Sequence, residues 1–354
     1  MRKLILKLSF LFLPFVLAVG AELFLFPIDF FTFRAWEALM VKRFKRILPG
    51  PFYPDMELTK IEEGDLAHHT KFSMKKRVTW NTDRYGYRST PGAFAHSSVV
   101  IIGDSNVVGS GLTQKAILPE ILADRLNVGV YPLAPGSVNS FFRETRFIEK
   151  PPGVVVLAEV ERDLIGLPDL KESGRRLSRF RESLRRNRIV QYFAVLADRI
   201  SKMDMLHFCR ASIRRIGRTP PEPIRIHGDP NFFLQGAIAN EEVTKERRDR
   251  AVRRIKTYME TFNRKGVRFI FLPIPNKENI YHEYLPGARR PVFLEQLVSE
   301  LNDHGVEVIN TQKAFENAFR RGVGLYLRDD THWNAEAVRI AAELIEAKIR
   351  QKSE

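Results

Sequence analysis

Ser98-Val99-Val100-Ile101-Ile102-Gly103-Asp104-Ser105-Asn106 is the stretch on which the reading of this chain turns. Its unbroken apolar run marks a strand buried on both faces, as in a parallel sheet covered by helices. The run ends on a glycine that permits a tight turn, and a serine follows. In open α/β sheets, ligands bind beyond the carboxyl ends of the strands. Ser105 therefore stands where such a sheet presents a nucleophile. Far along the chain, Asp329-Asp330-Thr331-His332-Trp333-Asn334 offers a carboxylate and an imidazole on one loop. A serine hydroxyl is a weak nucleophile at neutral pH, and needs a base in hydrogen-bond reach and a group that orients the base. Ser105, His332 and one of Asp329 and Asp330 supply those three parts. Adjacent side chains on a loop point apart, so one aspartate is expected to reach the imidazole. Asn334 is an N-cap for the helix that follows.

The same pattern continues outward. Apolar runs at 99–102, 128–133, 154–157, 267–272 and 306–309 read as five strands. Segments of helical period lie at 115–126, 138–149, 241–265, 292–304 and 335–349. Alternation of this kind predicts a doubly wound parallel sheet. Gly136 follows the second strand, Glu161 and Arg162 the third, Pro273 the fourth, and His332 lies beyond the fifth. All fall at one sheet edge.

Apolar residues make up 44% of the 354 and aromatics 11%, which excludes a disordered chain. The net charge of +15 favours anionic neighbours. Without zinc-finger spacing or an RNA-binding aromatic signature, nucleic acid is not the expected partner. Cys209 is the one cysteine, which leaves no intrachain disulfide and no cysteine-based metal site. His207, His227, His282 and His304 show no paired metal-ligand spacing, so neither metal nor cofactor is expected.

Arg2, Lys3 and Lys7 precede an apolar stretch, 8–20, that resumes at 23–33. This reads as a single N-terminal membrane pass, with the catalytic domain extracytoplasmic. A cleaved signal peptide ending near Ala18-Val19-Gly20 is the rival. Residues 30–48 are expected to form a helix along the head groups, with Lys42, Arg43, Lys45 and Arg46 toward anionic lipid. The chain thus divides into an anchor and juxtamembrane helix (1–50), a lead-in (51–97) and the α/β domain (98–354). A basic helical insertion interrupts that domain at about 165–235, carrying Arg175, Arg176, Arg179, Arg181, Arg185, Arg186 and later Pro220-Pro221. It is either a solvated basic face or a lid over the active edge.

Gly103-Asp104-Ser105 as a first block and Asp329-x-x-His332 as a last one resemble the SGNH (GDSL-type) hydrolase superfamily over roughly residues 97–350. The resemblance implies a three-layer α/β/α, flavodoxin-like fold. It implies Ser105 as nucleophile, His332 as general base, and the N–H groups of Ser105 and Gly136 as an oxyanion hole. The superfamily's third block, Gly-x-Asn-Asp, is replaced by Glu159-Val160-Glu161-Arg162-Asp163. Arg162 either supplies donors in place of the asparagine or pairs with Glu161. Two further stretches look like alginate O-acetyltransferase-like (AlgJ/AlgX-type) proteins. They are Pro273-Ile274-Pro275-Asn276-Lys277-Glu278-Asn279-Ile280-Tyr281 and Asp330-Thr331-His332-Trp333. That likeness nominates Asp330 as the acid. The general superfamily pattern nominates Asp329, which the order of blocks in this chain favours. Lys277 and Tyr281 are either substrate contacts near Ser105 or a surface charge and a packed ring. The implied function is a serine esterase or O-acetyltransferase acting on an acyl ester of an envelope glycan, with membrane lipid and a membrane acyltransferase as possible partners. A non-catalytic polysaccharide-binding scaffold is the alternative.

Overall fold

The computed structural model describes residues 2–68, 70–93, 97–171, 179–215, 222–234, 243–287 and 289–351. Helices α1 (Arg2–Phe24) and α2 (Ala35–Leu39) come first, then an antiparallel hairpin of β1 (Glu57–Glu62) and β2 (Lys76–Asn81). β3 (Ser97–Gly103) is followed by α3 (Ser105–Val108) and α4 (Leu118–Leu126). β4 (Gly129–Leu133) is followed by α5 (Val138–Phe141) and α6 (Thr145–Glu149), and β5 (Val154–Val160) by α7 (Glu161–Leu164). Three helices come next: α8 (Arg179–Arg186), α9 (Arg188–Lys202) and α10 (Asp204–Arg215). A small hairpin of β6 (Ile224–Ile226) and β7 (Asp229–Asn231) precedes α11 (Lys245–Asn263), β8 (Arg268–Ile274), α12 (Lys277–Ile280) and α13 (Phe293–Asp303). β9 (Glu307–Val308), α14 (Thr311–Arg320) and α15 (Ala335–Arg350) complete the chain.

β3, β4, β5, β8 and β9 form the expected parallel sheet, in the order β4-β3-β5-β8-β9. Side chains alternate across a strand, so each strand feeds two cores. Val99, Ile101, Val156 and Ile270 pack with α4, α14 and α15 on one face. Val100, Ile102, Val155, Leu157, Phe269 and Phe271 pack with α11 and α13 on the other. Both faces are covered, which is why these strands read as continuous apolar runs. The chain winds from β3 outward to β4, then returns to β5 on the other side. The crevice between the carboxyl ends of β3 and β5 is thus the switch point where such sheets bind ligands.

The N-terminal expectations need correction. No helix among the described residues is long and apolar enough to cross a membrane, so a single N-terminal pass is not supported. Near the end of α1, Glu22 accepts the backbone N–H groups of Asp204 (3.0 Å) and Met205 (3.2 Å). This carboxylate satisfies the open N-terminus of α10 rather than resting at a bilayer interface. Residues 30–48 form no continuous helix, and only Ala35–Leu39 is helical. Ala35, Ala38, Leu39, Val41 and Leu48 are buried in the protein's own core. Their apolar side chains pack against protein, while Lys42, Arg43, Lys45 and Arg46 point outward.

The insertion packs on this N-terminal segment. Asp198 of α9 accepts the backbone N–H groups of Lys42 (3.1 Å), Arg43 (2.7 Å) and Phe44 (3.1 Å) and the Tyr53 hydroxyl (2.8 Å). Lys202 donates to the carbonyls of Glu37 and Ala38, and Arg185 to those of Leu48 and Pro49. Arg175, Arg176 and Pro220-Pro221 lie outside the described residues.

Candidate active site

The turn after β3 is built by three residues. Gly103 sits so close to the Ala158 carbonyl and Val107 that a Cβ would collide with both. Asp104 caps α3 by accepting the Asn106 N–H (2.7 Å), and also accepts the Val160 N–H (3.2 Å), tying the ends of β3 and β5 together. Buried Asn106 then reaches the distant loop. Its main-chain carbonyl accepts the Trp333 indole N–H (3.0 Å), and its side chain accepts the Trp333 backbone N–H (3.4 Å). Ser105 and His332, the residues beside these anchors, are brought face to face.

His332 Nε2 lies 2.8 Å from Ser105 Oγ, and His332 Nδ1 lies 2.6 Å from Asp330 Oδ1. An ionised carboxylate only accepts, so the ring proton belongs on Nδ1, and Nε2 is left to accept from the serine hydroxyl. Burial lowers the imidazole's affinity for a proton, but the Asp330 carboxylate outweighs it, and the His332 pKa rises above 6.5. For Asp330, burial favours the neutral acid. His332, Arg34 and Lys76 outweigh that and hold the carboxyl well below the usual range. Asn334 caps α15 through the N–H groups of Glu336 and Ala337, which fixes the loop behind the imidazole.

The aspartate on the imidazole is Asp330, not Asp329 as the block order favours. Asp329 is fully buried and faces the other way. It accepts the N–H groups of Gly64 (2.8 Å) and Met74 (2.8 Å) and pairs with Lys76 (2.9 Å). It stitches the segment between β1 and β2 onto the catalytic loop, and that orientation is what turns Asp330 toward His332.

The oxyanion expectations fare unevenly. The Gly136 N–H donates to the Gly103 carbonyl (2.9 Å), so it is committed to holding β4 against β3. Arg162 is exposed on α7 and shares a cavity of about 340 Å³ with Gly136, Glu159 and Asp163. Glu161 does not pair with Arg162. It accepts the Asn276 N–H (3.1 Å) and the Asn279 side-chain amide, joining β5 to the turn after β8. The carboxylates of Asp104, Glu159 and Asp163 cluster here. Burial, then Asp104 and Asp163, push Glu159 up to about 9, so at neutral pH it carries a proton.

Lys277 and Tyr281 face inward. Lys277 is buried, and its ammonium donates to the carbonyls of Phe232 (2.9 Å), Leu327 (2.7 Å), Arg328 (3.1 Å) and Asp330 (3.1 Å). Burial lowers its pKa to about 7. The Tyr281 hydroxyl accepts the N–H groups of Leu325 (2.9 Å) and Tyr326 (3.3 Å). Both hold the loop that carries Asp330 and His332, and neither is aimed at Ser105.

Residues 228–354 match the family model described as SGNH hydrolase-like domain, acetyltransferase AlgX. The resemblance to AlgX-type proteins covers the C-terminal stretch, 127 of 354 residues, that carries Lys277, Asp330 and His332. No curated protein matches the sequence significantly. Similar solved structures include the acetyl xylan esterase AlAXEase (13% identity, 71% of this chain and 99% of that chain, TM-score 0.38). The lipase/acylhydrolase from Enterococcus faecalis is another (14%, 72% and 96%, 0.35). A member of the lipolytic protein G-D-S-L family from Veillonella parvula DSM 2008 is a third (11%, 70% and 96%, 0.35).

Two residues near the triad had no signal in the sequence. Arg34 and Asp65 come from the N-terminal segment, and their nitrogen and oxygen atoms lie 3.3 Å apart beside Asp330. Neither belongs to a motif, and only the packing of residues 30–66 against the catalytic loop brings them there.

Proposed function

We propose that the chain is a serine esterase or O-acyltransferase that works through an acyl-Ser105 intermediate. The observation that carries this reading is the hydrogen-bonded series Asp330–His332–Ser105, at 2.6 and 2.8 Å. Ser105 Oγ attacks the acyl carbonyl carbon while its proton passes to His332 Nε2. The bond to the leaving alkoxide breaks, and that oxygen takes the proton from Nε2. A second oxygen nucleophile then gives its proton to Nε2 and releases the acyl group from Ser105. Water as that nucleophile makes the enzyme an esterase, and a glycan hydroxyl makes it a transferase. With Gly136 committed elsewhere, the oxyanion falls to the Ser105 N–H and the Arg162 guanidinium, each such donor being worth about 2.7–4 kcal/mol of barrier.

An anionic glycan is the substrate class we favour. A groove of about 1660 Å³ runs between residues 40–51, α5 and α11, and Pro135 on its wall precedes Gly136. Among the described residues it is lined by seven cationic side chains, Lys45, Arg143, Arg185 and Lys265 among them, against one carboxylate, Glu144. Such a field concentrates polyanions.

The test is labelling with a fluorophosphonate. The wild-type chain should be labelled and should hydrolyse p-nitrophenyl acetate, and Ser105→Ala should do neither. Equal labelling of both, or labelling of neither, would leave a polysaccharide-binding scaffold as the better reading. Acetyl donor supplied with and without a polyuronate acceptor then separates transfer from hydrolysis.

A further inference from the structure

Asp330 uses one oxygen, Oδ1, for His332 and for the N–H groups of Thr331 (2.6 Å) and His332 (3.3 Å). Its other oxygen, Oδ2, is buried and accepts no hydrogen bond. A carboxylate oxygen left so is costly unless a charge answers it. Arg34 Nη1 lies 3.7 Å away, and the same nitrogen lies 3.3 Å from Asp65 Oδ2. Arg34 also pairs with Glu37 at 3.1 Å. One guanidinium therefore stands between the buried triad acid and a rim carboxylate of the same sign. Asp65 is exposed, whereas Asp330 is only 1% exposed.

We propose that Arg34 is a positioning residue for the triad: it answers the second oxygen of Asp330 and offsets Asp65, so that the imidazole feels one effective carboxylate rather than two. This rests on the reading of Asp330–His332–Ser105 as a working triad. The charged groups facing Asp330 are Arg34, Asp65 and His332, with Lys277 on its carbonyl and Lys76 held beyond by Asp329. Asp104 adds a further carboxylate field at His332.

The sign follows from these charges. Removing Arg34 removes a cation near the imidazole and leaves both carboxylates uncompensated, so His332 should hold its proton to higher pH. A nearby charge moves a pKa by about one unit or more. In Arg34→Met, kcat/KM for p-nitrophenyl acetate should fall roughly tenfold on the acid limb and recover at high pH, with KM little changed. Asp65→Asn in the same background should return the limb toward its original place. Arg34→Lys, which keeps the charge, should shift it least.

The experiment is the pH profile of the full chain and these variants, beside the His332 Nδ1-proton resonance followed through a pH titration. The resonance needs no substrate, so it reports on Arg34 even if Ser105 is unreactive. An unreactive wild type would sink the triad reading alone. A His332 midpoint unmoved in Arg34→Met, or a rate loss equal at every pH, overturns the proposal. Should Arg34→Met fail to fold, Asp65→Asn alone must lower the midpoint, and an unchanged midpoint there is equally decisive.

Discussion

Replacing Asp330 by asparagine keeps the side chain's size but takes away the negative charge that fixes the Nδ1 proton of His332 and stabilises the imidazolium. Turnover should drop on the order of 10³–10⁴-fold, with little change in melting temperature. Asp329→Asn should do the reverse. It strands Lys76 and weakens two backbone contacts, so it should lower stability by about 1–3 kcal/mol. Esterase assays and urea melts on the two variants check both outcomes. The serine and the histidine are legible in the sequence because each chemistry needs that residue type at a strand exit or beside an acid. The choice between the two aspartates is not legible. It is made by Gly64, Met74 and Lys76, which sit in a segment with no periodic signal. A Cβ on Gly64 would run into the Asp329 backbone, so this residue is demanded by a contact that only the folded chain reveals.

Among the elements, the five strands were readable because burial on both faces leaves little choice of residue. Helix α14 was not, since two of its four buried positions are the polar Thr311 and Gln312. Residues 30–48 mislead for a physical reason: an apolar stretch beside basic residues suits a lipid surface and a protein core equally well. What decides is the partner, and the partner is α9. Asp198 answers three successive N–H groups and a hydroxyl there, so Asp198→Ala should cost on the order of 2–4 kcal/mol. Burial alone would raise this carboxyl, but the N–H donors and Tyr53 outweigh it and hold its pKa below the ordinary value. A depressed carboxyl stabilises the fold above its unfolded pKa of about 3.9, and that contribution fades as pH falls through the folded value. The wild type's advantage over Asp198→Ala should therefore shrink in urea melts from pH 7 toward pH 3.

Taken whole, the molecule carries +15, and among the described residues the groove between α5 and α11 sets seven cationic side chains against one carboxylate. Charges at an open surface are screened beyond about 8 Å at 0.15 M salt and about 3 Å at 1 M. If this groove holds an acidic acceptor, its KM should rise several-fold with salt, while hydrolysis of neutral p-nitrophenyl acetate stays level. A salt-insensitive KM would point to a neutral acceptor. The contact between Gly64 and Asp329 spans 265 residues of chain, and it has a consequence in time. At about 5–20 residues per second, a ribosome needs roughly 13–53 s to make the second partner after the first. For all of that interval after residue 105, the nascent chain holds Ser105 but lacks both its base and its acid. The nucleophile is thus made early and armed late, and a chain cut short before residue 329 carries an inert serine.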